Sequence, residues 1–124
     1  MSTALHDVAS AAFVASALDP DTQTSSPTGS AIDMITADGP CFAIQQVGAF
    51  SADSLAGAIE ESADGSTGWT AISGAVFESV TGASDIQVIT FNRTARYLRY
   101  VGTIAGVGPS IDMAVAIGEQ KKTL

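Results

Sequence analysis

The amino-acid sequence predicts an all-β fold, a single-domain β-sandwich that is a jelly roll of about eight strands with an extended N-terminal arm. Three observations predict this class. Short segments with a two-residue apolar period recur about every 8 to 12 residues, turn sequences rich in Gly, Pro, Asp and Ser separate them, and no stretch keeps a convincing helical period. Regular short strands with turn chemistry between them are typical of sandwiches and jelly rolls.

The length of 124 residues predicts one domain whose core needs no disulfide or metal to hold it. We expect an N-terminal arm over residues 1–12, a sandwich over 13–118 and a polar tail over 119–124. The lone cysteine, Cys41, excludes an internal disulfide and is expected to lie in the core. Together with a single histidine, His6, it cannot form a structural zinc site, so we predict no metal and no cofactor.

Turn and bulge signals bound the strands of the first part of the chain. Asp19-Pro20-Asp21 is expected to end the first strand, because proline lacks a backbone donor and restricts the preceding residue. Gln45-Gln46 interrupts the alternation of a later strand and predicts a β-bulge there. Asp64-Gly65 is expected to reverse the chain, since glycine takes the left-handed conformation easily. The predicted strands are residues 11–18, 31–36, 41–50, 54–62 and 69–72.

Further strands are predicted in the second part of the chain, at residues 76–80, 86–91, 96–105 and 111–118. The segment 86–91 is almost continuously apolar, which predicts a strand covered on both faces. In 96–105 the residues Leu98, Tyr100 and Ile104 share one face, which is expected to be the buried one.

The last predicted strand has two unlike faces. One consists of Ile111, Met113, Val115 and Ile117, and the other of Asp112, Ala114, Ala116 and Gly118. The second face is almost free of side chains, so another surface can approach it closely. It indicates an interface, with an ordinary solvent-facing strand as the equal alternative.

Charge is distributed unevenly along the chain. Residues 1–92 contain 11 acidic side chains and no Lys or Arg, whereas 93–124 contain 5 basic and 2 acidic side chains, giving −11 and +3 and a total of −8. Phosphate binding needs a dominant basic surface, so nucleic acid is not expected as a partner. Charged residues make up 15% of the chain against about 25% in a typical soluble domain, which suggests surface used for contacts with other subunits.

The sequence contains no targeting or catalytic pattern. The N-terminus has no basic segment before an apolar run, and no apolar run approaches the roughly 20 residues that span a bilayer, so we expect no membrane contact and synthesis in a cytoplasm. A hydrolytic triad would have to use His6, and no Gly-x-Ser-x-Gly elbow accompanies a serine. Glu60 and Glu61 are neighbours on a predicted strand and point to opposite faces. We therefore predict that the protein is not an enzyme.

The stretch from Arg93 to Val101 contains the main candidates for a contact surface. Arginine forms planar, two-pronged pairs with carboxylates, and tyrosine gives a large contact with a polar tip. Pairing with acids of the same chain, such as Asp33 or Asp112, is the alternative. The predicted interface residues are Arg93, Arg96, Tyr97 and Arg99, together with Leu5 and Phe13 from the arm and the first strand.

Trp69, the single tryptophan, follows the predicted turn at Asp64. A large aromatic side chain at the edge of a hairpin is expected to anchor the core. A tryptophan beside acidic loops could instead stack on a sugar, which makes a carbohydrate- or receptor-binding module an alternative function.

Two segments resemble a family of small structural proteins of tailed bacteriophages. The first reads Glu-Ser-x-Asp-Gly-Ser-Thr followed by Trp and covers residues 61–69, with Gly68 inserted before Trp69. The second reads Phe-x-Arg-Thr-x-Arg-Tyr-x-Arg and covers residues 91–99. The similar region extends over roughly residues 30–118.

This resemblance implies a virion structural protein and, by analogy with other jelly-roll auxiliary proteins, a capsid decoration or cement protein. Such a protein would bind the major capsid protein on the outer surface of the head and stabilise the shell as a homo-oligomer, with a trimer favoured over a dimer. The N-terminal arm would order on binding. A tail, neck or fibre-associated virion protein is the alternative.

Overall fold

In the computed structural model, which describes residues 11–121, eight β-strands form two antiparallel sheets of four strands each. The strands are β1 (Ala12–Gln23), β2 (Ile32–Asp33), β3 (Ala37–Ser51), β4 (Ser54–Ser62), β5 (Thr70–Val76), β6 (Asp85–Phe91), β7 (Tyr97–Ala105) and β8 (Ser110–Lys121). The first sheet has the order β1-β8-β3-β6 and the second the order β2-β7-β4-β5. The predicted β-sandwich is confirmed.

The pairing of the strands also identifies the jelly roll. β1 pairs with β8, β2 with β7, β3 with β6 and β4 with β5, so the chain is wound as one long hairpin that is folded over on itself. Two further antiparallel pairs, β3 with β8 and β4 with β7, join these hairpin layers into the two sheets. This is the double-sheet arrangement of a jelly roll.

The inner faces of the two sheets enclose the core. On β7, Leu98 and Tyr100 are fully buried, on the face predicted to be inside, and on β4 Leu55 and Ile59 are fully buried as well. Burial of each such aliphatic side chain contributes about 1.5–3 kcal/mol. The last strand supplies its predicted inner face of Ile111, Met113, Val115 and Ile117.

β1 continues past the predicted stop at Asp19-Pro20-Asp21 and ends at Gln23. That prediction is wrong because β1 is an edge strand of its sheet. Its register against β8 shifts between Ser16 and Leu18 and again between Leu18 and Asp21, and proline is tolerated at such bulges of edge strands.

The bulge predicted at Gln45-Gln46 is absent. β3 keeps a regular register through these residues against both of its neighbours, and its two shifts against β8 occur between Ala37 and Cys41 and between Val47 and Phe50 instead. The alternation is interrupted because Gln45 is a polar residue at a buried position, where it accepts a hydrogen bond of 2.6 Å from the Tyr100 hydroxyl.

Two expectations about burial are also wrong. The outward side chains of β6, Ile86 and Val88, are 65% and 62% exposed, because β6 is an edge strand with an open outer face. Trp69 is half-buried and lies outside the core cluster, just before the start of β5.

Residues 119–121, which were expected to begin a polar tail, belong to a strand, and the rest of that tail lies outside the described residues. β8 runs to Lys121, and Glu119 within it is buried, with its charge balanced by an ion pair with Arg93. Ala12, the last residue of the predicted arm, already belongs to β1. Residues 1–10, which make up most of that arm, lie outside the described residues.

Candidate interface

The two segments that carry the family resemblance meet at one end of the sandwich, where Glu61 joins them. The Glu61 carboxylate accepts hydrogen bonds from the backbone amides of Thr94 and Ala95, at 2.8 and 2.9 Å, and from the Thr94 hydroxyl at 2.9 Å. Burial disfavours the charged carboxylate, but these three donors outweigh it, so the pKa of Glu61 lies below its ordinary value. The loop between β6 and β7 is therefore held against the end of β4.

The β4–β5 loop, residues 63–69, is closed by Asp64. Its carboxylate accepts hydrogen bonds from the backbone amides of Thr67 and Ser66, at 2.8 and 2.9 Å, and from the Thr67 hydroxyl at 2.8 Å. These donors hold the pKa of Asp64 far below its ordinary value. Gly65 has a φ of 77°, and a Cβ there would lie 3.0 Å from the Tyr97 ring, so both the turn and the ring require glycine.

All three nitrogens of the Arg93 guanidinium donate hydrogen bonds, and together they link three parts of the chain. Its Nε donates to Glu119 at 2.8 Å, and Nη1 donates to the carbonyl of Ala95 at 2.8 Å. Nη2 donates to the carbonyls of Met34 and Ala37, at 3.0 and 2.8 Å. The side chain therefore ties the end of β8 to the β2–β3 turn and to the β6–β7 loop.

Arg96 forms a two-pronged pair with Asp33. Nε and Nη2 of Arg96 lie 2.8 and 2.7 Å from the two carboxylate oxygens, and the guanidinium is 5.2 Å from the centre of the Tyr97 ring. Hydrogen bonds from Arg96 lower the pKa of Asp33 to about 2. Arg96 therefore pairs with Asp33 of its own chain, which was the alternative to a contact with another protein. Asp112, the other acid named there, accepts a hydrogen bond from the Thr22 hydroxyl instead.

Arg99 is held between an acid and an aromatic ring. Its Nη2 lies 2.8 Å from Glu60, and its guanidinium carbon is 4.3 Å from the centre of the Trp69 ring. A cation this close to an indole face is attracted by the ring quadrupole. One face of Trp69 is therefore covered by Arg99 and is not free for a sugar.

All three arginines are thus paired within their own chain. Arg93 is 15% exposed and acts in packing, whereas Arg96 is 46% exposed and Arg99 27%. Their use in contacts with another protein stays a prediction. We call the surface formed by Asp33, Glu60, Trp69, Arg96, Tyr97 and Arg99 the paired-arginine end.

The two remaining predicted interface residues lie elsewhere. Phe13 is half-buried on β1, paired with Glu119 and packed against the core. Leu5 lies outside the described residues. The structure therefore brings together the Arg and Tyr candidates and does not bring Phe13 to the same surface.

The outer face of the first sheet is a second candidate surface, which the sequence indicated only in part. Val14, Val88 and Ile86 on it are 56%, 62% and 65% exposed. The strand register places its side chains in three rows without a charged residue: Val14, Gly118, Phe42 and Thr90; Ser16, Ala116, Ile44 and Val88; and Ala114, Gln46 and Ile86. We call these three rows the apolar sheet face.

A groove runs along β8 in this face and has a volume of about 400 Å³. Its floor is formed by Ala114 and Ala116, and its sides by Val14 on β1 and Ile44 on β3. In the neighbouring row, the Phe42 ring occupies the place where a Cβ of Gly118 would be. The side-chain-poor face predicted for the last strand is therefore the floor of a groove, which we call the β8 groove.

Residues 11–121 were predicted to hold no metal and to make no membrane contact. No group of three or more His, Cys, Asp or Glu side chains in this range is arranged to hold a metal ion. The same range contains no helix of the length and apolar character needed to cross a membrane.

The strand pairing defines a jelly-roll β-sandwich. No protein-family model matches the chain, and no curated protein matches it. A chain of the solved structure described as "Structure of infectious bursal disease virus Gx strain" is similar, with 17% identity and a TM-score of 0.40. The match covers 90% of this chain and 32% of that chain, so the present chain spans about a third of its length.

Proposed function

We propose that this chain is a non-catalytic virion structural protein, and that it is a decoration or cement protein bound to the outside of an assembled capsid. The observation that carries the proposal is the convergence of residues 61–69 and 91–99. These segments resemble tailed-phage structural proteins, and they build one hydrogen-bonded end of a jelly roll. The residues shared with that family are occupied in turns and ion pairs, which suits a rigid contact surface rather than chemistry.

The paired-arginine end is the surface proposed to contact the major capsid protein. Its Trp, Tyr and Arg side chains belong to the types that carry most binding energy at interfaces. Asp33 and Glu60 already hold the guanidinium groups of Arg96 and Arg99 in place, so little side-chain freedom is lost on binding. Many copies on one shell would make weak single contacts sufficient through avidity.

A tail, neck or fibre-associated position in the virion is the alternative, since a jelly roll by itself does not select a location. A carbohydrate-binding role is less well supported, because Arg99 covers one face of Trp69. We propose synthesis in the host cytoplasm and attachment to the outer head surface.

Heads assembled without this chain provide the direct test. Addition of the purified chain should lead to saturable co-sedimentation with the heads and should raise the temperature at which they disrupt. Tail-free heads that neither bind the chain nor gain heat resistance would contradict the proposal. Binding to tails or necks alone would favour the alternative position.

A further inference from the structure

We propose that the apolar sheet face binds the same face of a second copy of this chain, forming a two-fold, face-to-face dimer. The inference goes beyond the proposed function, because it depends on the first sheet and not on the paired-arginine end. A contiguous exposed apolar face of this kind marks a contact surface on a soluble protein.

The face has a shape that is complementary to itself. The β8 groove is a depression between β1 and β3, whereas Ile86 and Val88 form a ridge on β6 at the edge of the sheet. β3 lies between β8 and β6, so groove and ridge are equally far from it on opposite sides. The two features are one strand spacing from β3, about 4.8 Å each.

This spacing selects one symmetry axis. A two-fold axis that runs along β3 places the β6 ridge of each copy over the β8 groove of the other, with Ile44 of both copies at the centre. Val88 of one copy then lies over Ala116 of the other, because both belong to one row. An axis across the strands would place groove on groove. Both axes would give an isologous contact, but only the axis along β3 fills the groove of each copy with the ridge of the other.

The available area suits a dimer of modest affinity. The overlapping strands β8, β3 and β6 contain 12, 15 and 7 residues. At about 3.3 Å per residue and 4.8 Å between strands, the whole length of these strands covers on the order of 500 Å² in each copy, and the three apolar rows cover about half of it. The total of about 1,000 Å² is near the lower limit for a specific interface. We therefore expect a dimer that dissociates on dilution.

Charge gives the contact a recognisable salt dependence. The three rows of the face carry no charged side chain, but Asp112 follows Ala114 on the same face of β8, and Asp19 accepts a hydrogen bond from Ser16 at the β1 edge. An axis along β3 brings the Asp112 ends of the two copies side by side, and their repulsion is screened by salt. Association is therefore expected to become tighter as salt is added, whereas a contact made by arginines and acids would weaken.

Sedimentation velocity of the full chain over a wide concentration range tests the dimer. We expect a monomer–dimer equilibrium that Val88→Glu weakens at least about tenfold. Val76→Glu is the matched control, since Val76 is 59% exposed on the edge strand β5 of the other sheet, and it should leave the equilibrium unchanged. Equal urea unfolding midpoints of both variants would show that folding is intact.

A charge exchange identifies the geometry. Val88→Lys and Ala116→Glu should each weaken the dimer alone, and the double variant should restore it, since each lysine would then face a glutamate of the other copy. A monomer at every concentration, a trimer, no rescue by the double variant, or binding of this face to capsid protein without self-association would overturn the proposal. The same sedimentation experiment therefore distinguishes the dimer from the trimer that was favoured in the sequence analysis.

Discussion

Arg93 and Glu119 form a nearly buried ion pair, with Nε and Oε1 2.8 Å apart and the Glu119 side chain 1% exposed. The pair joins the end of β8 to the loop before β7. The same guanidinium donates to the carbonyls of Met34, just after β2, and of Ala37, the first residue of β3. One side chain thus fastens the end of the sandwich where both family-like segments lie.

Removal of Arg93 is expected to destabilise the fold strongly. Arg93→Ala leaves the buried Glu119 carboxylate without its cation, and loss of one partner of a buried pair costs about 3–5 kcal/mol. Urea unfolding should show this loss of unfolding free energy. Arg96→Ala is the control, because its pair with Asp33 is exposed, and it should have a much smaller effect. Equal effects of the two changes would contradict the role assigned to Arg93.

Acid should destabilise the protein through its hydrogen-bonded carboxylates. Folding lowers the pKa values of Asp64, Asp33 and Glu61, so the stability that they contribute is present above their unfolded values and is lost as the pH falls through the folded ones. The urea midpoint should fall as the pH drops from about 5 to about 2. The urea midpoint of Asp64→Asn should be lower than that of the unchanged protein at neutral pH and should fall less with acid. Equal pH dependence of the two midpoints would argue against this account.

The buried pair of Tyr100 and Gln45 is expected to respond to mutation in a non-additive way. The Tyr100 hydroxyl donates to Gln45 Oε1, while Gln45 Nε2 has no hydrogen-bond partner among residues 11–121. Tyr100→Phe should cost about 1–3 kcal/mol, because it leaves a buried acceptor unpaired. Gln45→Leu in the same chain should recover most of that loss. A double-mutant cycle checks this, and strict additivity would contradict the coupling.

Cys41 should be unreactive in the folded protein. Burial, and then the nearby Glu119 carboxylate, raise the pKa of its thiol to about 12, so very little thiolate forms near neutral pH. A thiol reagent should label the protein only in denaturant. Arg93→Ala should speed labelling under native conditions by making opening easier. Labelling of the native protein at the rate of a free cysteine would show that this site is open.

Arg99→Ala should weaken binding to undecorated heads more than Lys121→Ala. The first change removes the cation stacked on Trp69 in the paired-arginine end, and the second removes a cation at the end of β8. Co-sedimentation with heads measures both affinities. Similar and negligible losses would remove the paired-arginine end from the proposed contact.

Sequence periodicity was sufficient for the parts of the fold that alternation determines. β4 spans the predicted residues 54–62, and the buried faces of β7 and β8 are those expected. Such strands have one apolar and one different face, so a period of two specifies their orientation.

The failures occur where position in the sheet decides. Pro20 is tolerated because β1 is at an edge of its sheet, and Val88 is exposed because it lies on the outer face of that sheet. Strand order is a long-range property that no local pattern contains. Gln45 suggested a bulge because its partner, Tyr100, is distant in sequence. The apolar sheet face was indicated only in part, because it is built from four strands whose order the sequence does not contain.

The copy number of this chain in purified virions tests the central claim most directly. Quantitative mass spectrometry measures this copy number relative to that of the major capsid protein. A decoration protein should be present in many copies, in a simple ratio to the capsid subunits. A few copies per particle, or none, would contradict a place on the surface of the head.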